Sequence, residues 1–138
     1  MKKEIIKIAG TMINENGELL IVKKYGSDIF INPGGKVEDD ETHIETLRRE
    51  LKEELDVDLT EATFFDSFHS ERAMHDPDCS LTIHVYIVKW LREIKPSSEI
   101  EKAVWLKKED LENKKYNLSP QLIDQIIPAL KEKKLLKI

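Results

Sequence analysis

Cysteine is nearly missing from the chain: Cys79 is the only one, so no intrachain disulfide framework exists and a reducing compartment suits it. No uninterrupted apolar stretch approaches the roughly 18 residues that a membrane-crossing helix needs. The amino terminus reads Met1-Lys2-Lys3-Glu4, but the Ile5-Ile6-Lys7-Ile8 that follows is too short and too charged for a secretory core. Repeats and low-complexity segments are absent too. Residues 1–138 therefore read as one domain of a cytoplasmic protein with no membrane partner. A basic excess is also lacking. The formal net charge is −5, which argues against a nucleic-acid polymer as partner, because such a partner calls for a basic face. A phosphorylated small molecule remains open, since divalent cations standing between carboxylates and phosphates reverse the local field. His43, His69, His75 and His84 show no zinc-ligand spacing.

What is present alternates between strand and helix signals. A β-rich apolar run over Glu4–Ile13, the turn Glu15-Asn16-Gly17-Glu18 and the run Leu19–Lys24 together predict a hairpin. Ile29-Phe30-Ile31 reads as a short strand, and Asn32-Pro33-Gly34-Gly35 as the loop that ends it. Thr42 with Glu45 forms a capping-box pattern, and Ile44, Leu47, Leu51 and Leu55 follow as one apolar helical stripe. Phe64, Phe65 and Phe68 suggest another strand, and His69–Ser80 a polar loop. Leu81, Ile83, Val85 and Ile87 alternate with Thr82, His84, Tyr86 and Val88, a half-buried strand signature. After a loop from Ile94 to Glu101 comes a short strand, Ala103–Leu106. Ser119-Pro120 opens a last helix, which Pro128 should kink or split. Strands, one helix, more strands and a terminal helix predict an α+β fold, a mixed sheet in a sandwich.

The chemistry concentrates between Gly35 and Val57. At about 100° per residue, Glu50, Glu53 and Glu54 share one helix face, roughly 110° around from the apolar stripe. Burying the stripe puts the three carboxylates at the edge of the packed interface. They repel one another and gain nothing from the helix dipole near its carboxy end. A hard divalent cation would relieve that repulsion. A solvated acidic face paired with Arg48, Arg49 and Lys52 fits the same spacing, because charged helix faces are common.

The wider pattern separates the two readings. Gly35, Glu41, Arg49, Glu50, Leu51, Glu53, Glu54 and Val57 stand at the spacing of the Nudix box, and the chain resembles the Nudix family, its small MutT-like members above all. The departure is Asp56, where the family usually has glycine; aspartate tolerates the left-handed turn that follows the helix. The resemblance implies a Nudix-type α/β/α sandwich and a hydrolase acting on a diphosphate bond. It implies Mg2+ as cofactor, with Mn2+ able to substitute. Glu50, Glu53, Glu54 and the Gly35 carbonyl would hold metal, with one glutamate orienting or deprotonating the attacking water. Glu41 and Arg49 would tie loop to helix. Glu99 is the candidate for a further carboxylate from a later loop, and Glu101 its alternative.

Substrate residues are less legible. Lys36, and also Lys23, Lys24 and Arg72, are candidates for phosphate contact. Asn32, Phe30, Tyr86 and Asn117 are candidates for the nucleoside, where stacking and amide donors would be needed. The small size favours a nucleoside triphosphate, oxidised ones included, cut to monophosphate and pyrophosphate. ADP-ribose and dinucleoside polyphosphates remain alternatives. An isopentenyl diphosphate isomerase-like protein would use a catalytic cysteine, and Cys79 lies outside the expected neighbourhood. A non-catalytic nucleotide-sensing module would be expected to lose box glutamates, all of which remain. Trp90, Leu91, Leu135 and Leu136 fit an interface or the interior of one chain, so monomer and homodimer both stand.

Overall fold

The computed structural model describes residues 3–73 and 76–138; Met1, Lys2 and His75, which entered the reading above, lie outside these. Strands β1 (Lys3–Thr11), β4 (Gly34–Lys36), β5 (Asp58–Ser70) and β6 (Cys79–Leu91) form one sheet, ordered β4-β1-β6-β5. In it β1 runs parallel to β6 and antiparallel to β4, so the sheet is mixed. Strands β2 (Leu19–Lys24), β3 (Phe30–Ile31) and β7 (Ile100–Leu106) form a second sheet, ordered β3-β2-β7. The helices are α1 (His43–Leu55), α2 (Lys108–Glu112) and α3 (Ile127–Glu132), the last preceded by a π-helical segment, Leu122–Ile126.

Strand faces decide how the layers stack. In the run Leu-Leu-Ile-Val of β2, Leu19 and Ile21 join one buried cluster with Val85, Leu122, Ile126 and Leu130. Leu20 and Val22 join another with Ile8, Leu47, Leu51 and Leu55. The sheets thus lie between α1 on one side and the carboxy-terminal helix on the other, an α/β/α sandwich. Each fully buried leucine on the α1 stripe contributes roughly 1.5–3 kcal/mol. Gly10 on β1 packs under Leu47 and Leu51, whose methyls lie 3.5 Å from where a Cβ would stand. No helix among the described residues is long and apolar enough to cross a membrane.

Several expectations change. β1 and β2 meet only at the base of their turn, where the Leu20 N–H donates to the Met12 carbonyl at 2.9 Å. They then part into different sheets, because β6 offers β1 a partner along its whole length and β7 does the same for β2. Gly34 and Gly35 belong to a strand, not a loop. Gly34 (φ 144°) lies so close to β1 that a Cβ would fall on the Ile8 carbonyl. β6 is covered on both faces: Val85 is buried in one cluster, yet Val88, only 3% exposed, is buried in the other. The polar loop is shorter than expected because β5 extends to Ser70 and β6 begins at Cys79. Helix α2 had no counterpart in the sequence reading. Pro128 is accommodated by the π turn ahead of it, where the Ile127 N–H reaches back to the Leu122 carbonyl.

Candidate active site

Helix α1 carries most of the acidic side chains and is fixed at both ends. Thr42 Oγ1 accepts from the Glu45 N–H at 3.1 Å while the Glu45 carboxylate accepts from the Thr42 N–H at 2.9 Å. At the other end Asp56 takes the left-handed conformation (φ 56°, ψ 35°) and its N–H caps the Lys52 carbonyl. The last carbonyls are then capped from the β6–β7 connection: Lys95 N–H donates to Leu55 O and Ser97 N–H to Glu54 O, at 2.9 and 2.8 Å. That connection carries Glu99.

The three glutamates occupy different environments. Glu54 is 2% exposed; its Oε1 accepts from the Gly34 N–H at 2.9 Å, and its Oε2 has no partner. Burial pushes this carboxyl up to about 8, against the pull of the Gly34 hydrogen bond. Glu50 lies against Gly35 so tightly that a Cβ there would overlap its carboxylate. Burial also raises the Glu50 pKa, outweighing its 2.8 Å contact with Arg49. Glu53 is more than half exposed, with Arg49 at 3.8 Å.

Arg49 organises the loop against the helix. Its Nε and Nη2 grip both oxygens of Glu41 at 2.7 and 2.8 Å, a bidentate fork, and Nη2 also reaches the Lys36 carbonyl at 3.2 Å. Glu41 further accepts from the Glu38 N–H and the Thr46 hydroxyl. The Arg49 hydrogen bonds, then that of Glu38, pull the Glu41 carboxyl down to about 2; the same pairing drives Arg49 upward.

Beside this helix face opens a cavity of about 510 Å³. Gly35, Lys36, Asn32, Glu50 and Glu99 line it, together with the apolar side chains of Ile5, Ile31, Leu81, Ile83 and Ile126. Asn32 is only 9% exposed and its Nδ2 has no hydrogen-bond partner. Glu99 reaches the cavity with Lys24 at 3.3 Å, whereas Glu101 is absent from the lining and paired with Lys23.

Three candidates lie elsewhere. Phe30 is buried in the core, edge-on to Tyr116 at 5.0 Å. Tyr86 belongs to the cluster on the α1 side and hydrogen-bonds His43 at 2.8 Å. Asn117 is exposed, and its carbonyl accepts from the Phe30 N–H. Lys23, tied to the Ser27 carbonyl and Glu101, and the exposed Arg72 also stay out of the lining. Sequence reasoning missed Lys7, Gln121 and, as a cavity residue, Ser119. Lys7 left one signal, a lysine inside an apolar strand run. Gln121 left only its place one residue after the Ser119-Pro120 helix start.

The donor set suits a hard cation: all oxygens, with one buried carboxylate oxygen lacking a partner. Among the described residues, no three His, Cys, Asp or Glu side chains already stand together as a metal cage. Glu50 is drawn to Arg49 at 2.8 Å, and Glu53 is more than half exposed.

Comparison with known proteins bears on this geometry. The NUDIX domain family matches residues 5–127. A Proteus vulgaris protein named 8-oxo-dGTP diphosphatase is 32% identical over 99 residues, 67% of this chain and 84% of that one. The solution structure of the E. coli ORF135 protein is 26% identical, with a TM-score of 0.74 over 96% of this chain and 94% of the other. The crystal structure of a MutT protein from Methanosarcina mazei Go1, at 22% identity, shares the fold with a TM-score of 0.79 over 96% and 97% of the two chains. Hydrolases of this family generally use divalent metal ions. With the box residues gathered on α1 and its loop, and the family match spanning most of its length, this chain belongs to the NUDIX family and is a Nudix hydrolase.

Proposed function

We propose that the chain hydrolyses nucleoside triphosphates, oxidised forms such as 8-oxo-dGTP included, to nucleoside monophosphate and pyrophosphate with Mg2+. The observation that carries this reading is the unpartnered, buried Glu54 oxygen on the same helix face as Glu50, which lines the 510 Å³ cavity. The name of the Proteus vulgaris relative supports the substrate class.

Glu50, Glu53 and Glu54, with the Gly35 carbonyl, would hold the ions, and Glu99 would add a carboxylate from the β6–β7 connection. Bound ions supply charge compensation at the phosphates and a more acidic water. The protein's part is positioning. The Glu41–Arg49 fork fixes the glycine loop relative to the glutamates, and Lys24 and Lys36 face the phosphate chain. One box glutamate accepts the proton of the water that attacks phosphorus. A phosphorus–oxygen bond of the diphosphate then breaks, and pyrophosphate departs. Asn32 contacts the nucleoside with its free amide donor. No serine, cysteine or histidine nucleophile is needed.

A substrate panel tests the proposal: canonical and oxidised nucleoside triphosphates, ADP-ribose and dinucleoside polyphosphates, incubated with magnesium and resolved by chromatography. Monophosphate and pyrophosphate from triphosphates are expected. Turnover of ADP-ribose or dinucleoside polyphosphates alone would move the assignment to those classes.

A further inference from the structure

The cavity floor carries a charge that the box does not account for. On β1, Ile5, Lys7 and Ala9 line the cavity, and their register partners Leu81 and Ile83 on β6 extend an apolar floor around Lys7. Lys7 is half-buried, and its ammonium has no hydrogen-bond or ion-pair partner among the described residues. Its direct cross-strand partner is Lys36 on β4, and Lys24 lines the same cavity. Like charges placed opposite one another across a sheet are destabilising. Lys24 leans on Glu99, but Glu54 and Glu99 act on Lys7 only from a distance. Burial first, and then Lys24 and Lys36, depress the Lys7 pKa.

An ammonium offers three donors and no acceptor, and unlike an amide it cannot turn round to present one. The group that occupies the space above Lys7 must therefore be rich in acceptors, and the two neighbouring lysines favour one that is anionic. Resting on the reading of the chain as a nucleoside triphosphate hydrolase, we infer that Lys7 is a substrate-binding residue that grips the polyphosphate chain from the cavity floor. Lys36 and Lys24 meet the same chain from the edge strand and from β2. Lys7 thereby completes a three-lysine cradle beside the carboxylates, and substrate binding removes the repulsion within it.

The test compares wild type with Lys7→Met and Lys7→Arg. Methionine keeps the length and apolar stem, and arginine keeps the charge. Inorganic tripolyphosphate serves as a probe of the chain without a base, and the free nucleoside as a probe of the base without a chain, each as an inhibitor of turnover. Lys7→Met should raise the inhibition constant of tripolyphosphate and the KM for triphosphate roughly tenfold or more, the scale of one charge-assisted hydrogen bond. Inhibition by the nucleoside should hold, the melting temperature should hold or rise as the repulsion from Lys36 is removed, and Lys7→Arg should retain most of the wild-type affinity. Unchanged tripolyphosphate affinity in Lys7→Met overturns the inference, as does an equal loss for nucleoside and tripolyphosphate. A wild type that turns over no triphosphate fails the functional reading itself, whereas turnover indifferent to Lys7→Met fails this inference alone.

Discussion

Replacing Glu54 with glutamine separates the electrostatic cost of the site from its packing. The Glu54 carboxyl is 2% exposed and its folded pKa stands at about 8, against an ordinary 4.5. Between these values the folded chain keeps a proton that the unfolded chain has released. The native state binds more protons there, so stability falls as pH rises through this window. From about pH 5 to about pH 8 each decade costs at most about 1.4 kcal/mol, a ceiling of about 4 kcal/mol. Relaxation of the folded site around the charge brings the working figure to about 2 kcal/mol. Glutamine keeps an oxygen for the Gly34 N–H but does not ionise. In urea unfolding with a chelator present, wild type should lose about 2 kcal/mol more than Glu54→Gln between those pH values. Magnesium should flatten the wild-type slope and leave the variant's unchanged. The same slope in both proteins would refute the reasoning, because Glu54 would then ionise in the folded state as easily as in the unfolded one.

Further predictions follow from neighbouring residues. Gly35→Ala should push the Glu50 carboxylate from its seat and lower kcat by at least tenfold in steady-state assays, with the melting temperature little changed if only the side chain shifts. Asn32→Leu should leave the melting temperature unchanged or raise it, since it removes an unpartnered buried donor worth about 1–3 kcal/mol; KM should rise for the nucleotide but not for tripolyphosphate inhibition. His43 has its pKa depressed by burial and by the adjacent His84. As pH falls below about 6.5 the unfolded chain therefore protonates first and stability is lost. His43→Gln should lose less stability between neutral and mildly acidic pH in denaturant titrations, and an equal loss would count against the assignment.

Helix α1 was legible because its signals are local: Thr42 and Glu45 close their own capping box, and Leu47, Leu51 and Leu55 repeat within one helix. Asp56 was legible for the same reason, as a short polar residue suited to a left-handed cap. The partition of β1 and β2 was not, because strand partners are chosen by long-range pairing that a turn signal does not report. Gly34 and Gly35 read as loop residues on propensity. Their actual need is close approach, of β4 to the Ile8 carbonyl and of Gly35 to Glu50. Around the cavity, face selection decided the outcome. Phe30 turns to the core, while Ile31, on the opposite face of β3, and Asn32, just past its end, line the cavity. Tyr86 points to the α1 side, opposite Val85. Lys7 was hidden because a lysine in a strand ordinarily reads as a solvated edge position.

The central claim is that the glutamate face of α1 is a metal site that drives hydrolysis. A magnesium titration of pyrophosphate release, with wild type beside Glu53→Gln and Glu54→Gln at equal folded concentration, tests it most directly. The account predicts saturable, metal-dependent release in wild type and a loss of roughly a hundredfold or more in each variant. Pyrophosphate release that needs no divalent ion, or that survives both substitutions, would contradict it.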